Sequence, residues 1–306
     1  MSDAAARIAS TRADHANRAA RPHPGEKTLS SKSAFYQANG LELHYLDFGN
    51  HGAPALACIH GLSGNAHNFD ALAPHLASRY HVISIDVRGR GDSGWGPAAE
   101  YNPAVYVKDL DALLNTLGVT RVTLIGTSMG GIISMIFAGG YPERVEKLVL
   151  NDIGPEIEPA GLKRITDYFT TARNEFNDLD EVAAYYRENY PFLRDTPQAE
   201  LVEFVRWAVK PDGRGKLIWK IDPAVRNMPR SGSAARPMDL WVPYARIAAP
   251  ILVIRGAESD ILSAETAARM GRVLRGTRVA EIPGGGHAPT LSEPESLAAL
   301  RDFLLK

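Results

Sequence analysis

The sequence predicts an α/β domain on a mostly parallel sheet, interrupted once by a helical insertion. Three observations predict it. Short apolar runs alternate with stretches of helical spacing from Ala34 to about Gly154, the rhythm that right-handed βαβ units produce. The rhythm stops between Pro155 and about Leu240, where GLKRITDYFTTARNEF, LDEVAAYYRENYP and AELVEFVRWAVK follow one another without short apolar strands. It resumes at YARIAAPILVIRGAESD and continues to the end of the chain. The expected organisation is a mobile tail over 1–33, an α/β core over 34–154 and 241–306, and a helical cap over 155–240.

The elements follow in order. FYQANGLELHYLDFG reads as two strands turning at Asn39-Gly40, a strong hairpin signal. PALACIHG is a continuous apolar strand, NFDALAPHLAS a helix, and HVISIDVRGRGDSG a strand ending in a glycine-rich loop. PAVYVKDLDALLNTLGV has apolar residues at helical spacing and stops at Gly118. RVTLIG is a strand, MGGIISMIFAGGYPERV a helix and EKLVLNDIG a strand. After the insertion, SAETAARMGRVL is a helix, RVAEIPGGGHAP a strand and loop, and PESLAALRDFLLK a closing helix. An insertion at this point belongs over the carboxyl ends of the strands, where open α/β sheets bind ligands.

Composition removes several classes of function. The 306 residues carry 34 basic and 35 acidic side chains, a net charge of −1, without the basic excess of a nucleic-acid or membrane-surface binder. The single cysteine, Cys58, excludes an intramolecular disulfide framework and lies in an apolar strand as a small buried hydrophobe. No stretch reaches the roughly 18 apolar residues of a membrane span. The first 33 residues lack the apolar segment of a secretory signal, and Asp3, Asp14 and Glu26 weaken an organelle-targeting reading. A cytoplasmic protein is expected. The nine histidines lack metal-ligand pairing, GRGDSG lacks the ending of a phosphate loop, and no cofactor or metal is expected.

The chemistry centres on LIGTSMGGIIS, where strand, Gly126-Thr127-Ser128-Met129-Gly130 and helix follow directly. Glycines on either side of Ser128 let strand and helix meet at a tight, strained corner that lifts the hydroxyl off the sheet. A serine hydroxyl needs a histidine to take its proton and a carboxylate to orient that histidine. Asp260 in ILVIRGAESDIL and His287 in VAEIPGGGHAPTL both lie just past apolar strands. Glu258 stands two residues from Asp260, and Asp152 ends KLVLND. The loop CIHGLSGN after an early strand supplies a backbone N–H at Leu62, and the residue after the serine, Met129, a second.

HGLSGN, DVRGRGDSG, GTSMGG, GAESD and GGGHAP, in this order, resemble the α/β-hydrolase family over about residues 36–306. SMGG with a helical cap looks most like its bacterial esterase, lactonase and carbon–carbon bond hydrolase branch. The resemblance implies an α/β-hydrolase fold, a Ser128–Asp260–His287 triad and an oxyanion hole from Leu62 and Met129. It also implies an alternative acid at Asp152, a place where some relatives carry it. Gly61 and Trp207 are expected to bind substrate. His60 is expected to pack structurally, and Asp86, Arg88 and Ser93 to fix a turn below the site.

Serine at the corner argues against epoxide hydrolases and haloalkane dehalogenases, which carry aspartate there. The expected reaction is carboxylic ester hydrolysis of a small or medium-sized apolar substrate through an acyl-enzyme. Lactone opening and carbon–carbon cleavage are alternatives, and a non-catalytic small-molecule receptor is a distant one. The expected partner is a small-molecule ester or lactone, without nucleic acid, and with a homodimer left open. The cap aromatics Tyr168, Phe169, Tyr185, Tyr186, Tyr190, Phe192, Phe204, Trp207, Trp219 and Trp241 are assigned mainly to packing. Arg164, Arg187 or Lys220 could anchor a substrate carboxylate.

Overall fold

The computed structural model describes residues 30–190, 193–194, 196–226 and 239–306. Strands β1 (Lys32–Ala38) and β2 (Leu41–Asp47) form the expected hairpin. Asn39 and Gly40 both take positive φ, 47° and 80°, as a tight two-residue turn demands. Lys32 and Ser33, assigned to the tail from sequence, already pair with Asp47 and Leu46; residues 1–29 of that tail lie outside the described residues.

Strands β3 (Ala55–Ile59), β4 (His81–Ile85), β5 (Val122–Thr127) and β6 (Val145–Asn151) build the centre. With β10 (Ile251–Gly256) and β11 (Arg278–Ile282) they complete an eight-stranded sheet in the order β1-β2-β4-β3-β5-β6-β10-β11. The hairpin joins antiparallel and every other pairing is parallel. The chain runs from β3 outward to β4, then returns past β3 to β5. That reversal opens a crevice at the carboxyl ends of β3 and β5.

Both faces of the sheet centre are covered, so β3, β4, β5 and β10 are buried along their length rather than alternating. Leu124, Leu148 and Val253 pack on one face with helices α1 (Pro103–Thr116) and α2 (Met129–Gly140). Their chain neighbours Ile125, Val149 and Ile254 pack on the other with α7 (Pro294–Leu304). Helix α1 starts on Asn102, whose side chain accepts the Val105 N–H at 3.2 Å, with proline in the first turn. It ends before Gly118, at φ 65°. Helix α6 (Ala264–Val273) lies between β10 and β11, capped by Ser263.

Between β6 and β10 lie α3 (Pro159–Thr171), α4 (Leu179–Asn189) and α5 (Gln198–Val205). The insertion also holds strands, against the purely helical expectation. β7 (Glu175–Phe176), β8 (Val209–Pro211) and β9 (Leu217–Trp219) form a small antiparallel sheet in the order β7-β9-β8. Strands of two or three residues are too short to carry an apolar run, so periodicity passes over them. Most cap aromatics pack on one another: Phe176 meets Trp219 edge-on at 5.0 Å, and Tyr168 meets Phe169 and Tyr190 at 5.2 and 5.6 Å. Phe192 lies outside the described residues. Among the described residues no helix is long and apolar enough to cross a membrane.

Candidate active site

Ser128 stands between β5 and α2 with φ 51° and ψ −114°, a backbone that costs on the order of 1–3 kcal/mol in a non-glycine residue. Two glycines make the corner possible by absence of volume. A Cβ on Gly126 would fall 2.4 Å from the Gly130 carbonyl oxygen, and one on Gly130 would fall 2.0 Å from that of Ile59. The Ser128 N–H donates to the Asn151 carbonyl at 3.0 Å, tying the corner to β6.

His287 follows β11 and reaches across two strands. Its Nε2 lies 2.9 Å from Ser128 Oγ and its Nδ1 lies 2.8 Å from Asp152 Oδ2. In the tautomer this geometry favours, Nδ1–H donates to the carboxylate and Nε2 accepts the serine proton. Asp152 is fully buried and its carboxylate is otherwise satisfied. Oδ1 accepts the Gly256 N–H at 2.8 Å, and Oδ2 accepts the Ser259 hydroxyl at 2.6 Å.

Asp260, expected to orient His287, does not do so. Its carboxylate is turned to the cap, where Arg164 of α3 donates from Nε and Nη2 at 2.5 and 2.8 Å. The loop after β10 thus contributes a hydroxyl, Ser259, to the acid on β6 rather than an acid of its own. Asp152, with φ 55°, follows directly on β6, and its backbone N–H donates to the Ile254 carbonyl of β10 at 2.7 Å. The Arg164 hydrogen bonds hold the Asp260 carboxyl below its ordinary range, outweighing partial burial.

Residue Asn151 joins the parts, and sequence reasoning missed it. Its side-chain amide donates to Thr127 Oγ1 at 3.1 Å and to the Pro289 carbonyl at 2.8 Å. It therefore links the serine corner to the histidine loop. The only signal available was its position at the strand end beside Asp152.

His60 is buried and structural, as expected. Its Nδ1–H donates to the Gly61 carbonyl at 2.6 Å and its Nε2 accepts the Val87 N–H at 3.0 Å. Burial pushes its pKa down to about 4, so the ring is neutral near pH 7. Below it, Asp86 accepts from Ala66 N–H, Asp92 N–H and His44, while Arg88 forks onto Asp109. Ser93 donates to the Asp86 carbonyl at 2.7 Å, closing the turn.

A cavity of about 420 Å³ opens above Ser128 and His287, within the size range of small-ligand sites. Gly61, Leu62, Ser63 and Asn68 line the core side; Arg164, Tyr168 and Tyr190 line the cap side. Tyr190 reaches across to Ser63, hydroxyl to hydroxyl at 3.4 Å. Gly61 is close enough to Ser128 that a Cβ on it would lie 3.6 Å from the serine Cβ. Trp207 is elsewhere, stacked on His67 at 3.7 Å and absent from the cavity wall. Arg187 donates to the Thr196 carbonyl and Lys220 to Asp92, so of the three cations only Arg164 lines the cavity. Among the described residues, neither the Leu62 nor the Met129 backbone N–H has a protein acceptor.

Among the described residues, two groups gather metal-ligand side chains, Asp47 with His51 and His81, and His44 with Asp86 and Asp92. Neither lines the cavity. Asp47 accepts from His81 and from the Gly49 N–H, and Asp86 is hydrogen-bonded as above.

A serine hydroxyl on a strained strand-to-helix corner, hydrogen-bonded through histidine to a buried acid, has the geometry to pass its proton to the imidazole. On this sheet such a site defines an α/β hydrolase. The family model of the alpha/beta hydrolase fold matches residues 54–294, and the chain belongs to that family and is a hydrolase. A 3-hydroxybutyrate-oligomer hydrolase of Cupriavidus necator is 37% identical over 276 residues, 85% of this chain and 93% of that protein. A crystal structure of an alpha/beta hydrolase from Novosphingobium aromaticivorans superposes with a TM-score of 0.82 at 34% identity, covering 91% of this chain and 99% of the other. A 2-(acetamidomethylene)succinate hydrolase of Mesorhizobium japonicum is 27% identical over 257 residues, covering 82% of this chain and 88% of its own.

Proposed function

We propose that this hydrolase is a serine carboxylic ester hydrolase acting on short esters of hydroxy acids. The observation that carries the reading is the unbroken relay from Ser128 Oγ through His287 to buried Asp152, at 2.9 and 2.8 Å, on the floor of a cavity. In this mechanism His287 Nε2 takes the serine proton as Oγ attacks the ester carbonyl. Asp152 stabilises the imidazolium that results. The Leu62 and Met129 N–H groups receive the oxyanion. His287 then protonates the departing alkoxide, and water attacks the acyl-serine by the same route in reverse.

Two features favour a hydroxy-acid ester over a plain fatty ester. The similarity to the Cupriavidus hydrolase runs through nearly the whole of both chains. The cavity wall also mixes apolar surface with hydroxyl, amide and guanidinium groups, from Ser63, Tyr190, Asn68 and Arg164. A linear hydroxy-acid oligomer offers repeated ester carbonyls to such donors and a terminal carboxylate to Arg164.

The test is hydrolysis of the 3-hydroxybutyrate dimer and trimer beside p-nitrophenyl butyrate, by wild type and by Ser128→Ala. Turnover of the oligomers at least tenfold more efficient than of the nitrophenyl ester is expected. Ser128→Ala should lose about 10⁶ in kcat while remaining folded. Turnover that survives this substitution would sink the reading, and a wild type that binds oligomer without turnover would favour a receptor.

A further inference from the structure

Arg90 is buried to 1% exposure behind the crevice, and its position is not explained by an ion pair. Its guanidinium donates from Nη1 to the Arg88 carbonyl at 2.8 Å and to the Tyr106 hydroxyl at 2.9 Å. Its carbon lies 5.2 Å from the Tyr106 ring centroid and 5.8 Å from that of Tyr101. The remaining donors go elsewhere. Nε points to the Leu62 carbonyl at 3.4 Å, and Nη2 to the Met129 sulfur at 3.5 Å. No carboxylate among the described residues forms an ion pair with it. Asp222, which approaches this region, accepts instead from the Tyr101 hydroxyl.

A buried charge with no carboxylate in direct contact is costly, and it calls for a role in the site it adjoins. This one touches Leu62 and Met129, whose backbone N–H groups have no protein acceptor among the described residues and of which Leu62 lines the cavity. We propose that Arg90 is a positioning residue for the oxyanion hole. It fixes the Leu62 loop relative to the Met129 helix end, and it places a buried positive charge beside the two N–H groups where negative charge develops. Arg90 stands away from the cavity wall and acts through its two neighbours. The inference rests on the serine-hydrolase reading, because an oxyanion hole has meaning only if a tetrahedral oxyanion forms.

The experiment compares wild type, Arg90→Met and Arg90→Lys. The readouts are kcat and KM on p-nitrophenyl butyrate, and affinity for an alkyl trifluoromethyl ketone, which adds a serine oxygen to give a tetrahedral oxyanion. Arg90→Met is expected to lose roughly 10- to 100-fold in kcat, less than the 10² to 10³ of deleting a donor outright. KM should move by less than about threefold, and ketone affinity should fall in proportion to kcat/KM. Arg90→Lys keeps the charge and loses the fork, so it should fall between. A folded Arg90→Met with kcat and ketone affinity unchanged overturns the proposal. So does a loss confined to KM, which would mean a packing role. Should Arg90→Met fail to fold, the proportional loss in Arg90→Lys carries the decision, and its absence overturns the proposal. A wild type that fails to bind the ketone sinks the serine reading and this proposal together, whereas wild-type binding matched by the variants sinks this proposal alone.

Discussion

The carboxylate of Asp152, at the end of β6, accepts the His287 Nδ1–H at 2.8 Å, while Asp260 in the loop after β10 is forked onto Arg164 of the cap. The contact to His287 expected of Asp260 is made by Asp152, the alternative acid. One orients the His287 ring, and the other fastens the cap helix to the core. The division of labour makes their substitutions separable.

Asp152→Asn should lower kcat on p-nitrophenyl butyrate by about 10⁴, because an amide in that place favours the wrong histidine tautomer. Asp260→Asn should keep kcat within about threefold. Steady-state kinetics on the two variants decide between the acids. A collapse in Asp260→Asn with Asp152→Asn near wild type would reverse the assignment.

Arg164→Ala removes the cation from the cavity wall and frees Asp260, which is about one third exposed. Solvent screening makes the stability loss small, about 1 kcal/mol or less. Selectivity is where the change should appear. KM for esters with a free carboxylate should rise about tenfold, while KM for p-nitrophenyl butyrate stays near wild type. Equal effects on both substrates would rule out carboxylate recognition by Arg164.

Gly130→Ala should destabilise the fold by about 3 kcal/mol or prevent expression, since its Cβ would lie 2.0 Å from the Ile59 carbonyl oxygen. Gly140, at the end of the same helix, has nothing within 4 Å of such a Cβ. Gly140→Ala should therefore be neutral or stabilising by up to about 1 kcal/mol. Urea denaturation of both variants checks the pair, and a stable Gly130→Ala would mean that helix and strand can separate without cost.

His60 links stability to pH. Burial depresses its folded pKa from 6.5 to about 4, so the unfolded chain takes up this proton more readily than the native one. Its contribution is fully present above about pH 6.5 and is lost as the pH falls through about 4, amounting to roughly 3 kcal/mol. Unfolding free energy measured at intervals from pH 7.5 to 4 should fall in wild type more steeply than in His60→Asn. Parallel slopes would show that the imidazole is not protonated on unfolding.

Sequence alone determined the sheet, its helices and the corner at Ser128, because each is written in contiguous residues. Apolar runs report strands that are covered on both faces, and Gly126 and Gly130 report a backbone approach that admits no side chain. His287 was legible for the same reason, as a histidine in a glycine-rich loop past an apolar strand. Tertiary structure decided what depends on which strand ends stand side by side. Asp152 and Asp260 both end up near the same edge of the sheet, and local pattern carries no information on which carboxylate turns inward. The choice was made by β6 lying between β5 and β10, by the φ of 55° at Asp152, and by an arginine on α3 placed to hold Asp260. Likewise the Asn151 links and the placement of Arg90 behind Leu62 and Met129 join residues 24 to 138 positions apart. Contacts of that span are properties of the packed chain, set by how the covered sheet stacks its crossovers and not by any stretch of it.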